Sequence, residues 1–167
     1  MKNNKGLSYV ELLVVIAVMV LITGISVISV GIVSRTNATK MGDKLVTMLR
    51  TSRTVSLAKG SEEGALNIRK SGNKYECAIG DISDNPEFTT IGSSPLVLYH
   101  YNTEDGLMPI VESIGVVTIK FDQSNGSILS CNVGGDLIDA LEIWKDEDAS
   151  VRIELYEVTG KCEMILK

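Results

Sequence analysis

Gly6-Leu7-Ser8-Tyr9-Val10-Glu11, running into the apolar stretch Leu12 to Val33, is the part of this chain on which the reading of the fold turns. Before it stand Met1-Lys2-Asn3-Asn4-Lys5, a short leader with two lysines. From Leu12 to Ser34 there is no charged residue, and that span exceeds the ~20 residues a helix needs to cross a bilayer. A cleaved secretory signal has a shorter apolar core followed by a small-residue site, which Ser34-Arg35-Thr36-Asn37-Ala38 fits poorly. A lipoprotein signal ends in a cysteine, and the first cysteine here is Cys77. On length alone, the run reads as a plain membrane anchor.

Glu11 argues against a plain anchor. A carboxylate inside an apolar segment costs on the order of 2–3 kcal/mol near a bilayer centre, less near its edge, and persists where it has a partner. Glu11 lies four residues after Leu7, directly behind a glycine and a basic leader. That set of features resembles the prepilin signal of type IV pilins and pseudopilins. The resemblance implies cleavage between Gly6 and Leu7 by a prepilin peptidase, methylation of the new terminus at Leu7, and a role for Glu11 in assembly. In that role its carboxylate pairs with the amino terminus of a neighbouring subunit, so a buried charge is compensated only on assembly. Two departures stand out: Leu7 occupies a position usually held by Phe, and the helix lacks a mid-span proline, leaving Gly24 and Gly31 as its weak points. Lysines and arginines flank both ends of the run, so the charge rule gives no orientation.

Past Ser34 the helical pattern becomes amphipathic. Met41, Leu45, Met48, Leu49 and Val55 form one stripe of a 3.6-residue period, with Lys40, Lys44, Arg50 and Arg53 mostly off it. Gly60 and Gly64 bracket the stop. The expected organisation is a leader at 1–6, a transmembrane or filament-core helix at 7–34, its amphipathic continuation at 35–60, and a β-rich head at 61–167. In fold class this is α+β, a long N-terminal helix with a membrane-spanning first half, packed against an antiparallel β-rich head. Residues 65–69 and 74–79 flank Ser71-Gly72-Asn73 as a hairpin. Further strands are expected at 96–101, 116–121, 127–131, 137–144, 151–158 and 161–166. The 115–167 region is similar to the heads of minor, GspH/FimT-like pseudopilins.

Charge is unevenly spread. Residues 35–70 hold eight Lys and Arg against three Asp and Glu, for +5, while 71–167 hold six against seventeen, for −11. So acidic a head repels phosphate backbones, which disfavours direct nucleic-acid contact. The basic helix is either a solvated face or a surface that meets the acidic heads of neighbouring subunits. Cys77, Cys131 and Cys162 are odd in number and lack zinc-site spacing, so one bridge plus a free thiol and three buried thiols both remain open.

No catalytic constellation is found. His100, the single histidine, sits between Tyr99 and Tyr101 in a strand pattern, no Ser or Cys nucleophile has a base motif, and Thr159-Gly160-Lys161 is a hairpin turn rather than a phosphate loop. Asp81, Asp84, Asn85 and Glu87 place four oxygen-bearing side chains in seven residues, a weak calcium candidate that matches no EF-hand loop, the alternative being a solvated acidic turn. No cofactor is expected. The resemblance implies a non-enzymatic filament subunit, a minor pilin or pseudopilin of a type IV pilus, a competence pseudopilus or a type II secretion pseudopilus. Its implied partners are the prepilin peptidase, other pilin subunits through helix packing, an inner-membrane assembly platform, and membrane lipid before assembly. Its implied location is a single-pass cell membrane protein, leader cytoplasmic and head extracytoplasmic, then an extracellular filament. The alternatives are a major pilin and a membrane-anchored binding or adhesin domain.

Overall fold

The computed structural model describes residues 8–102, 106–111, 113, 115–132, 138–145 and 148–167, and side chains at all of these except 23–35, 102, 132 and 148. Helix α1 runs Tyr9–Lys59. Two compact units divide it, Met1–Thr36 and Asn37–Lys167. In the first unit the described side chains from Tyr9 to Ile22 are exposed, and the large apolar ones from Leu12 on, such as Leu13, Ile16 and Leu21, keep about half or more of their surface in the open.

The second unit holds the rest of α1 and, among the described residues, ten antiparallel strands in two five-stranded sheets. The first sheet has the order β3-β2-β1-β6-β7, with β1 Leu66–Ser71, β2 Lys74–Ile79, β3 Thr89–Ser93, β6 Val116–Phe121 and β7 Ile128–Asn132. The second has the order β10-β9-β8-β4-β5, with β4 Leu96–Asn102, β5 Gly106–Pro109, β8 Ala140–Lys145, β9 Asp148–Tyr156 and β10 Lys161–Leu166. Alternation is clearest in β6, as in a half-buried strand. In β6, Val117, Ile119 and Phe121 are buried while Val116, Thr118 and Lys120 are partly exposed. Ile68 lies opposite both Cys77 and Val117, and Leu141 lies opposite both His100 and Ile153. The inner faces of both sheets and one stripe of α1 meet in a single core.

That stripe is Ala38, Met41, Leu45, Leu49, Ser52 and Ser56, all buried. It departs from the expected one at its end, where two serines replace Val55. The reason is a close backbone approach. The chain leaving α1 returns over it at Gly64, where a Cβ would overlap Ser56 Oγ, and Ser52 Oγ donates to the Gly64 carbonyl at 2.5 Å. Only small side chains fit beneath that crossing. The helix itself stops at Gly60, whose φ of +117° ends the α-helical path while its N–H still reaches Ser56 O at 2.9 Å.

The structure corrects the expected fold class. No helix among the described residues is long and apolar enough to cross a membrane. The membrane-spanning first half, the transmembrane and membrane assignments that went with it, and the single-pass location with a cytoplasmic leader and an outer head are therefore overturned. The architecture is dominated instead by two packed antiparallel sheets, and only α1 from Asn37 onward belongs to the unit that contains them. Gly24 and Gly31 fall among the residues whose side chains are not described.

Two strands were not anticipated, β3 and β5. Both are edges, and both carry backbone-breaking residues, Gly92 in β3 and Gly106 and Pro109 in β5. Edge strands need only one ladder partner and tolerate such residues, so they lack the alternating signature that betrays interior strands.

Candidate functional site

Of the N-terminal signature, Gly6 and Leu7 lie outside the described residues. Ser8 and Glu11 lie within them. The Ser8 backbone N–H donates to Glu11 Oε2 at 2.9 Å, three residues apart at the start of α1. Ser-x-x-Glu at a helix start is a capping box, in which the glutamate reaches back to satisfy a backbone donor that has no partner inside the helix. Glu11 thus has a partner within its own chain, Ser8, the second residue after the expected cleavage point. Reading the sequence for a charge partner overlooked this, although Ser8-Tyr9-Val10-Glu11 is the legible signal for it. Directly after Glu11 the helix is apolar on every side from Leu12 to Ile22, and all of it is exposed in the single chain.

The four residues of the calcium candidate are not brought together. Asp81 caps the single turn Ile82–Asp84, its Oδ1 accepting from Ser83 N at 2.9 Å and from Ser83 Oγ at 2.5 Å. Those two hydrogen bonds, the hydroxyl's first, hold the Asp81 carboxyl below its ordinary range. Asn85 closes the turn in the left-handed conformation at φ 53°, its N–H bonded to Ile82 O. Among the described residues, no three His, Cys, Asp or Glu side chains are grouped so as to share a metal ion.

Two polar constellations emerge that no sequence pattern announced. On the outward face of the first sheet a groove of about 360 Å³ runs over Asn67, Thr118 and Lys120, with Glu62 and Asp81 at its rim. Asn67 is buried and fully engaged, donating to Gly80 O at 2.7 Å and accepting from Thr118 Oγ1 at 2.8 Å. Lys120 Nζ is paired to Glu62 at 2.6 Å. With these groups bonded to one another, the groove is a cross-strand network that ties the 61–65 turn to the sheet.

The outward face of the second sheet centres on Glu142, a buried carboxylate. Arg152 Nη1 donates to its Oε1 at 2.6 Å, Lys167 Nζ to the same oxygen at 3.2 Å, and Trp144 Nε1 to Oε2 at 2.7 Å. Burial pushes the Glu142 carboxyl upward, but the three donors outweigh it and hold the group below its ordinary value. Around it, Trp144 packs on Tyr99 at 5.3 Å between ring centres, and the Arg152 guanidinium lies 5.0 Å over Tyr101. Three donors on this one carboxylate tie β8, β9 and the C-terminal Lys167 together across the outer face of the sheet.

Cys77, Cys131 and Cys162 are free thiols, buried in the core. Burial pushes Cys77 and Cys131 up to about 12, and Cys162 to about 11, where Arg50 and Arg53 oppose the rise. None is poised as a nucleophile. His100 is buried on the inner face of β4, opposite Leu141. No protein-family model, no curated protein and no solved structure matches this chain.

Proposed function

We propose that the chain is a pilin-like structural subunit, a minor pilin or pseudopilin, cut by a prepilin peptidase between Gly6 and Leu7 and built into a filament through α1. The observation that carries the reading is the pairing of that leader signal and Glu11 with an apolar, all-round exposed helix surface from Leu12 to Ile22. Exposed apolar patches of this extent mark association surfaces. Packing α1 of many copies side by side covers that surface, and a helix apolar on every side suits the centre of such a bundle better than one flank of a globule. The second unit then serves as the face each subunit presents to its neighbours. The two polar networks on its sheets are bonded within themselves, which fits a building block better than a catalyst. Partners on this reading are the peptidase, further pilin subunits and an assembly platform.

The test is the mature N-terminus together with the state of assembly. Mass spectrometry of the chain made in its own cells should find Leu7 as the first residue, and the processed chain should sediment as filaments. An intact Met1 with a chain that stays monomeric would overturn the reading.

A further inference from the structure

Between α1 and the free edge of β3 lies a groove of about 300 Å³ lined by Asp43, Lys44, Thr47, Met48, Thr89 and Ile91. Its lining is mostly methyl and methylene groups, and its rim is basic on one side. Lys40 and Lys44 stand one helical turn apart, both exposed, against the single carboxylate of Asp43. The groove is closed to strand addition at one point, because Lys44 Nζ already binds the Thr90 carbonyl on the β3 edge at 3.3 Å. A side chain can enter where a strand cannot pair.

The same chain carries a matching knob. Ile82 is 48% exposed at the first position of the turn after β2. Asp81, Asp84 and Glu87 surround it in sequence, with no cation between residues 81 and 88. Val158 is more exposed, at 86%, but Glu157 is its one adjacent carboxylate and Lys161 follows closely. Charge complementarity therefore favours Ile82 over Val158 for a groove lined by Lys44, with Lys40 one turn back along α1.

We propose that the Ile82–Glu87 loop of one copy docks in the α1–β3 groove of a second copy, with Ile82 filling the apolar floor and Glu87 facing Lys44. The inference rests on the filament reading for its consequence and adds to it the surface through which heads meet. Knob and groove are different patches. Ile82 borders the outward groove of the first sheet, whereas Ile91 points into the core side. A copy that fills its neighbour's groove still offers its own, and such a heterologous contact propagates as an open chain where its rotation does not close a ring.

The experiment mixes two full-length, differently tagged copies, Thr47→Cys in one and Asp84→Cys in the other. Both positions are exposed, and the three native thiols are buried. After mild oxidation the sedimented and soluble fractions are analysed for the mixed-tag disulfide. The expected result is the cross-link in the sedimented filaments, reduced about fivefold by Lys44→Glu and restored when the loop-bearing copy carries Glu87→Lys. Unchanged tryptophan fluorescence would show that these surface variants fold. Filaments without the cross-link overturn the docking and leave the filament reading standing. The cross-link in soluble oligomers without sedimentation supports the docking and overturns the filament reading. Neither product overturns both.

Discussion

The Ser8 N–H and the Glu11 carboxylate are hydrogen-bonded at 2.9 Å, so the acidic residue of the N-terminal signature is tied into the first turn of its own helix. This gives Glu11 two separable properties, an acceptor for the helix end and a negative charge beside the expected new terminus. A glutamine keeps the first and loses the second, because Glu and Gln both complete a capping box.

Glu11→Gln should therefore leave the helix start intact and still impair assembly, whereas Glu11→Ala should lose both, the cap being worth roughly 1 kcal/mol of local stability. Amide exchange at Ser8 reports the cap, and sedimentation of the processed chain reports assembly. Wild-type filament yield from Glu11→Gln would remove the charge from the mechanism.

Gly160 and Gly72 offer a matched pair of turn glycines. Both have left-handed backbones, φ +61° and +57°, but a Cβ at Gly72 meets open space while one at Gly160 drives into the Gly126 carbonyl, beside Arg53. Gly72→Ala should cost only the backbone penalty, about 1 kcal/mol. Gly160→Ala adds displacement of the Asp122–Ser127 turn, whose Gly126 carbonyl accepts from Arg53 Nε at 2.8 Å, and should cost about 3 kcal/mol. Urea unfolding followed by Trp144 fluorescence compares them; equal losses would show that the close approach relaxes.

Glu142 should make the second sheet acid-sensitive. Its folded carboxyl is held below its unfolded value, so the stability it adds is present above the ordinary carboxylate range and is lost as pH falls through the folded value. The expected record is a melting temperature nearly flat from about pH 7 to 5 that drops below about pH 4. Glu142→Gln should flatten that acid limb and cost about 1–3 kcal/mol at neutral pH, since Arg152 and Lys167 lose their charged acceptor. An unaltered acid limb in the variant would assign it to other carboxylates.

The thiols should be silent in the folded chain. With Cys77 and Cys131 at about 12, roughly one molecule in ten thousand carries either thiolate at pH 8. Alkylation read by mass should stay slow until denaturant is added, with Cys162, at about 11, the first to react. Rapid native labelling of Cys77 would contradict its burial.

Much of the head was legible because its signals are local. Alternation marks β6 as Val116–Phe121, and Ser71-Gly72-Asn73 marks the first hairpin, since a sheet with one buried face writes its period into the chain. The helix stripe was legible as far as Leu49 for the same reason. It was misread beyond, where Ser52 and Ser56 are buried not by hydrophobicity but by the crossing chain at Gly64. The membrane assignment is overturned by the described residues, among which no helix is long and apolar enough to cross a membrane.

By itself, then, the sequence determined the order Gly6 to Glu11 on which the pilin-like resemblance rests, the period of the strands and the acidity of the head, all properties of neighbours along the chain. Only the tertiary structure decided that the strands divide into two sheets, that Glu142, Arg152, Trp144 and Lys167 converge, and that Met48 and Ile91 frame a groove. Those groups are brought together by strand order and by the packing of α1, and no spacing along the chain encodes a distance across a sheet.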